Sequence, residues 1–292
     1  MISTVDELNN NQNREENIEL LAAQRVLYNE ARIYELLIFI LTIVIPTLIL
    51  FIKIFFENNN LFKEVSNIIP IITMLIYIFI YDKNKDIKNK AAYIQQLFDS
   101  KVYDINFGIK MEDIENSYTI FEKSKKILNS EKEKNKLHNW YNIDIRCNKL
   151  SSFKLILSCQ IINIFWSKEL KQKYINIISF IILIPILILL IINIKLYKIN
   201  FIVSAISYMT PLISFFYINI KNVKNEIKEL QNVLSNIEIK LNSDNITEKD
   251  IIKIQNSIFK YRKNSVLIFN IFYNFYKQNI EIILKKYFGK SS

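Results

Sequence analysis

Few residues of the kinds that make and break bonds occur in this chain. One histidine, two cysteines and two glycines are spread through 292 residues. That is too little glycine for a phosphate-cradling loop, and no CxxC pair, HExxH motif or nucleophile elbow is present. His138 stands in a lysine-rich polar stretch and reads as a solvated surface residue. Cys147 and Cys159, twelve apart, read as small buried apolar groups rather than a redox pair. The sequence thus offers no catalytic residue, and a lone histidine leaves little for a metal site. One ordered polar pattern does occur. Asn200, Ser204, Ser207, Pro211 and Ser214 recur at spacings of 4, 3, 4 and 3 in an apolar segment, with Thr210 adjacent. Helical periodicity puts them on one face. Asn200, Ser204, Ser207 and Ser214 are candidates to line a water-filled path, where polar groups replace lost hydration. The other reading is that small polar residues pack helices together and bond across them.

The segment that carries this stripe is one of four. Apolar residues make up 51% of the chain and charged residues 23%, so the two classes must be segregated. Residues 36–52 and 65–81 each run 17 positions without a charge, residues 174–194 run 21, and residues 199–220 run 22. As helices these span roughly 26 to 33 Å, close to a bilayer's hydrocarbon thickness. The third is the most apolar, with sixteen Ile, Leu or Phe between Ile175 and Ile194. Buried helices of a soluble core usually carry charge at each turn of one face, and these carry none. The composition predicts an all-α membrane protein with four transmembrane helices. Each proline (Pro46, Pro70, Pro185, Pro211) falls inside a span, where a kink is tolerated once the freed carbonyl is re-satisfied.

The spans pair as two hairpins, 36–81 and 174–220, leaving 1–35, 82–173 and 221–292 on one side of the membrane. That side holds 34 of the 38 Lys and Arg residues; near the membrane alone the count is twelve against four. The positive-inside rule puts it in the cytoplasm, termini included, and residues 1–17 are too polar and acidic for a signal peptide. The net charge of +10 is discounted as a sign of nucleic-acid binding. Sixty Ile, 35 Asn and 33 Lys, with only five Arg, mark an A/T-rich coding bias.

The cytoplasmic parts read as helical. Residues 15–35 and 151–173 have no breaker before their spans, and helices are expected over 86–100 and 112–129 with a break at 106–108. Val223, Ile227, Leu230, Leu234, Ile237 and Leu241 form an a/d seam, for self-association or for packing on the chain's own helices. Thr247 and Asp250 read as a capping box. Residues 266–288 read as an aromatic-rich tail helix, packed or interfacial.

Several strings resemble a known family. Leu20-Leu21-Ala22-Ala23-Gln24-Arg25-Val26-Leu27-Tyr28-Asn29-Glu30-Ala31 precedes the first span, Ile94-Gln95-Gln96-Leu97-Phe98-Asp99 follows the second, and Trp140-Tyr141 lies between hairpins. Cys159-Gln160, Asn163, Trp166, Leu170 and Tyr174 run into the third span. Together these resemble the SMODS-associating four-transmembrane effectors of bacterial anti-phage systems. Two positions depart from that pattern, Ile161 where a basic residue is expected and Ser167 where an acid is expected. The resemblance implies a bacterial inner-membrane protein and a partner nucleotidyltransferase that makes a cyclic oligonucleotide on infection. It implies no cofactor beyond that activating ligand, no nucleic-acid partner, and a homo-oligomer that breaches the lipid bilayer.

For an anionic ligand of that type, arginine pairs with phosphate and aromatic rings stack on bases. Within the matching strings Gln24, Arg25, Tyr28, Gln160, Asn163 and Trp166 supply such groups, with Trp140 and Arg146 from the central segment. The competing reading is an internal polar network: a tryptophan pair, an arginine on Asp99, and amides satisfying helix ends. A different function class, a membrane-anchored scaffold or sensor that conducts nothing, fits the same spans and seam.

Overall fold

The computed structural model describes residues 1–45, 48, 49, 52, 60–109, 117–143, 150–196, 199–243 and 245–289, with side chains described outside 60–67, 70, 117, 181–215 and 285–289. Among these residues the regular structure is helical. Helices α1 (Val5–Gln12) and α2 (Glu15–Phe39) come first, and α2 runs into a π-helical turn at Ile40–Val44. Then follow α3 (Asn60–Tyr103), α4 (Ser117–Leu128), α5 (Glu131–Asn135), α6 (Ser152–Leu196), α7 (Ile199–Leu241), α8 (Glu248–Asn264) and α9 (Asn270–Gly289).

The long helices join polar and apolar halves without a break. At 44, 45 and 43 residues, α3, α6 and α7 are each about 65 Å long. The second apolar stretch and the expected helix at 86–100 are one element, because nothing between them interrupts a helix. The polar halves pack around the larger of two apolar cores. Leu21, Ala22 and Ala23 of α2, Ile94, Phe98 and Val102 of α3 and Leu155, Ile156 and Leu157 of α6 are all buried. A second, smaller cluster sits where the helices turn apolar, on Ile43, Tyr174, Ile178, Phe216, Val223 and Ile268.

The a/d seam of α7 packs on the chain itself. Leu230, Leu234 and Ile237 join the main core and Val223 the smaller one. Thr247 and Asp250 form the reciprocal capping box that opens α8. Helix α3 stops at Tyr103 because Asp104 takes φ 53°, and Gly108, at φ 69°, holds the backbone that glycine tolerates best. The tail helix begins at Asn270 rather than at 266. Its Phe272 meets Tyr174 edge-on at 5.5 Å, while Ile271 and Phe275 remain exposed. His138 is half-buried, with Nδ1 3.3 Å from the Asn13 side-chain oxygen, rather than fully solvated.

The four expected membrane crossings are not displayed by the described residues: among them no helix is long and apolar enough to cross a membrane. Side chains at 181–215, and much of the first stretch beyond Ile45, lie outside them. The stripe of Asn200, Ser204, Ser207 and Ser214 falls on the helical backbone of α7, its side chains outside the described set.

Candidate functional site

Two polar constellations lie inside the helical domain. The deeper one centres on Asp99, fully buried on α3. Its carboxylate accepts from the Tyr141 hydroxyl at 2.5 Å, from Gln255 Nε2 at 2.7 Å and from Arg262 Nη1 at 2.5 Å. Gln255 also donates to Gln96 and accepts from Gln160, and Asn163 donates to the Tyr141 hydroxyl. Segments far apart in sequence are thereby tied to one carboxylate. A buried charge needs such partners, since its desolvation otherwise costs several kcal/mol. Burial opposes the Arg262 charge, but Asp99 and Tyr141 outweigh it and raise its pKa. Burial, with Asp99 beside it, pushes the Tyr141 hydroxyl well above its ordinary value.

The second constellation surrounds the non-helical linker between α8 and α9. Arg32 Nε of α2 donates to the Ile268 carbonyl at 3.2 Å. Lys88 of α3 donates to the Ser265 carbonyl at 3.3 Å and pairs with Glu35. Lys171 of α6 donates to the Val266 carbonyl at 2.8 Å and pairs closely with Glu226. Glu226 of α7 accepts from the Val266 N–H at 3.0 Å. Each of the four helices that lead into or out of an apolar stretch therefore places one charged side chain on this linker. Burial pulls the Lys171 pKa down, but Tyr261 and Glu226 outweigh it and hold it above the ordinary lysine value.

Between the two constellations lies a cavity of about 200 Å³. Tyr28 and Arg32, Gln95, Asn163 with Ser167 and Lys171, Tyr261 with Arg262, the linker and Tyr273 line it. Three cations and no carboxylate face it among the described residues. Such a wall can hold an anion, with tyrosine faces beside it.

Of the eight ligand candidates, the cavity collects Tyr28 and Asn163. Tyr28 donates to Gln95 at 3.5 Å, and burial raises its pKa. Gln160 belongs to the Asp99 network instead. Gln24 is buried on α2, its Oε1 without a partner. Arg25 lies elsewhere, half-exposed and 3.4 Å from Glu133. Trp140 packs on the main core, and Trp166 stacks on Tyr273 at 5.5 Å, so each tryptophan has its own neighbours. Arg146 and Cys147 lie outside the described residues. Ile161 is in the core and Ser167 on the cavity wall. Arg32, Lys171 and Arg262 are the residues that sequence reasoning passed over. Only Arg32 carried a signal, one helical turn beyond Tyr28. Among the described residues no group of three or more His, Cys, Asp or Glu is placed to hold a metal ion.

Among the described residues the domain is helical, its long helices meeting at a charged junction, and the comparisons give its family. The chain belongs to the family of the SMODS-associating 4TM effector domain, which it matches over residues 6–286. It is 28% identical over 176 residues to a protein of Bacillus cereus strain VD146 named a probable CBASS effector molecule. That stretch covers 56% of this chain and 55% of the relative, so the match spans about half the length of either protein. No solved structure matches the chain.

Proposed function

We propose that this protein is an anti-phage effector that senses a cyclic oligonucleotide, made by a partner nucleotidyltransferase, through its helical cytoplasmic domain and permeabilises the bacterial inner membrane. Family membership and the CBASS-effector name of the relative support the effector role. The single observation that carries the gating is the linker at 265–268, held at once by Arg32, Lys88, Lys171 and Glu226. A change at that point bears on α3, α6 and α7, each continuous with an apolar stretch, and on α2, which is described into the first stretch as far as Ile45. In this reading the stretches cross the membrane as two hairpins, termini inside, and copies of the chain associate in the bilayer. Exposed apolar side chains support it: Ile71, Met74, Leu75 and Phe79 of α3 are 62%, 66%, 56% and 78% exposed, an unfavourable surface in water. Asn200, Ser204, Ser207 and Ser214 would line the conducting face. Gln24, Arg25, Tyr28, Trp140, Arg146, Gln160, Asn163 and Trp166 remain the ligand candidates.

The test is dye release from liposomes holding the purified protein, scanned across cyclic di- and trinucleotides. Release with one compound is the expected result. A folded, inserted protein that stays silent across the panel returns the weight to a non-conducting scaffold.

A further inference from the structure

We infer that the cavity beside the linker is a phosphate site: Arg32, Lys171 and Arg262 converge there to hold one phosphodiester group of an anionic ligand. Three observations point to it. The wall carries three cations and no carboxylate among the described residues. Arg262, only 7% exposed, has a buried Nη2 without a hydrogen-bond partner while its Nη1 is spent on Asp99. Arg32 meets only neutral acceptors among the described residues, the Asn29 side-chain oxygen at 2.7 Å and the Ile268 carbonyl at 3.2 Å. Burial lowers the Arg32 pKa, yet a guanidinium stays charged at any physiological pH. Asp99 and Glu226 offset Arg262 and Lys171, so one positive charge is left without a counter-charge.

Size selects the ligand class. A pocket for a whole drug-sized molecule takes about 300 to 1,000 Å³, and this one has about 200 Å³. It admits a single phosphate group, with the rest of the ligand outside or over the tyrosines. The inference rests on the preceding reading only in taking the phosphodiester from a cyclic oligonucleotide; a lipid headgroup presents the same group.

Occupancy has a mechanical effect. Arg32 and Lys171 are the donors that hold the Ile268 and Val266 carbonyls. A phosphate oxygen is a stronger acceptor than a carbonyl, because the bond is assisted by charge on both sides. A bound phosphate therefore competes with the two carbonyls for these donors.

The experiment is calorimetric titration of the full chain in detergent with inorganic pyrophosphate. One saturable site per chain is expected, weakened at least about tenfold by Arg32→Gln, the loss of a charge-assisted hydrogen bond. Gln95→Glu is the second variant: it adds a negative charge to the wall while keeping the acceptor for Tyr28, and it should weaken binding similarly. Lys125→Gln, on the exposed face of α4, should change nothing. Circular dichroism checks that each variant is folded. Wild-type affinity in both Arg32→Gln and Gln95→Glu, with binding lost in Arg25→Gln, overturns the site, as does a folded wild type with no saturable binding. Displacement of pyrophosphate by a cyclic dinucleotide, rather than by short-chain phosphatidylglycerol, assigns the phosphodiester to the nucleotide; the opposite pattern assigns it to the lipid. Dye release separates this inference from the function proposed above. Ligand-triggered release that ignores Arg32→Gln removes the site and leaves the effector reading. Arg32-dependent binding without release under any ligand does the reverse.

Discussion

The Asp99 network and the linker at 265–268 are both built from charged groups inside one helical domain, yet they hold their partners differently. Around Asp99, side chains from the α3, α6, α8 and Tyr141 segments bond to one another, each fixed by packing. Around the linker, Arg32, Lys88 and Lys171 bond to backbone carbonyls of a segment with no helical ladder of its own. A buried side-chain network cannot lose one member without stranding another. A carbonyl held by a lysine can be exchanged for another acceptor at little cost. The first arrangement ties side chains to one another, and the second ties charged side chains to backbone, with the Lys171–Glu226 pair common to both kinds.

The largest effect should come from Asp99→Ala, which leaves the Arg262 charge buried and unpaired and should cost about 3–5 kcal/mol. Denaturant unfolding in detergent measures it, and a loss under 1 kcal/mol would remove the contrast. Alkaline pH attacks the same network. The Tyr141 and Tyr103 hydroxyls are held well above the ordinary value of 10, first by burial. A folded pKa raised above the unfolded one means stability that is complete below pH 10 and lost as pH climbs through the folded value. Lys171 adds a loss of the same sign above its ordinary value. The tyrosinate absorbance of wild type less that of Tyr141→Phe should therefore rise together with loss of helix, beyond pH 10; a difference signal near 10 in an intact fold would refute the assignment.

At the linker the expected change is smaller in stability and larger in function. Lys88→Met removes the donor to Ser265 but leaves Glu35 its bond from Asn84, for about 1–2 kcal/mol. It should lower the ligand concentration needed for dye release, and an unchanged threshold would sever the linker from gating. The smallest effect is Thr247→Ala, which opens the capping box for about 1 kcal/mol and should leave release unaltered. The Asp250 carboxyl, held down to about 2 by Lys240 and Thr247, sets the pH sense of that cap. Its contribution is present above pH 3.8 and fades as pH falls toward 2; thermal melts of wild type against Asp250→Asn should converge there.

What could be read in the sequence was whatever is local or periodic. The capping box, the break at 106–108 and the seam on α7 each rest on residues within a few turns of one another. What the seam packs against is not local, and the choice between self-association and internal packing needed the fold. An arginine on Asp99 was the competing reading for Arg25 and Arg146, but the one that binds it, Arg262, stands 163 positions away and no spacing rule reaches it. The linker was hidden more completely. Val266, Leu267 and Ile268 read as the start of the tail helix, because their composition permits one. They stay out of it as Val266 and Ile268 give their backbone groups to Lys171, Glu226 and Arg32, charged side chains from three distant helices. Tyr28 and Asn163 reached the cavity, while the cations that give it its sign stood outside the matching strings or drew no attention.

The π-helical turn at Ile40–Val44 has a mechanical meaning beside its uninterrupted neighbours. It lies in the first apolar stretch, just ahead of Pro46, which offers no N–H to the carbonyl four residues back. A π turn holds one residue more than an α turn, and so opens the helix locally. Helices α3, α6 and α7 are struts that carry a tilt from end to end. Among the described residues α2 is the one long helix whose ladder changes pitch as it enters an apolar stretch.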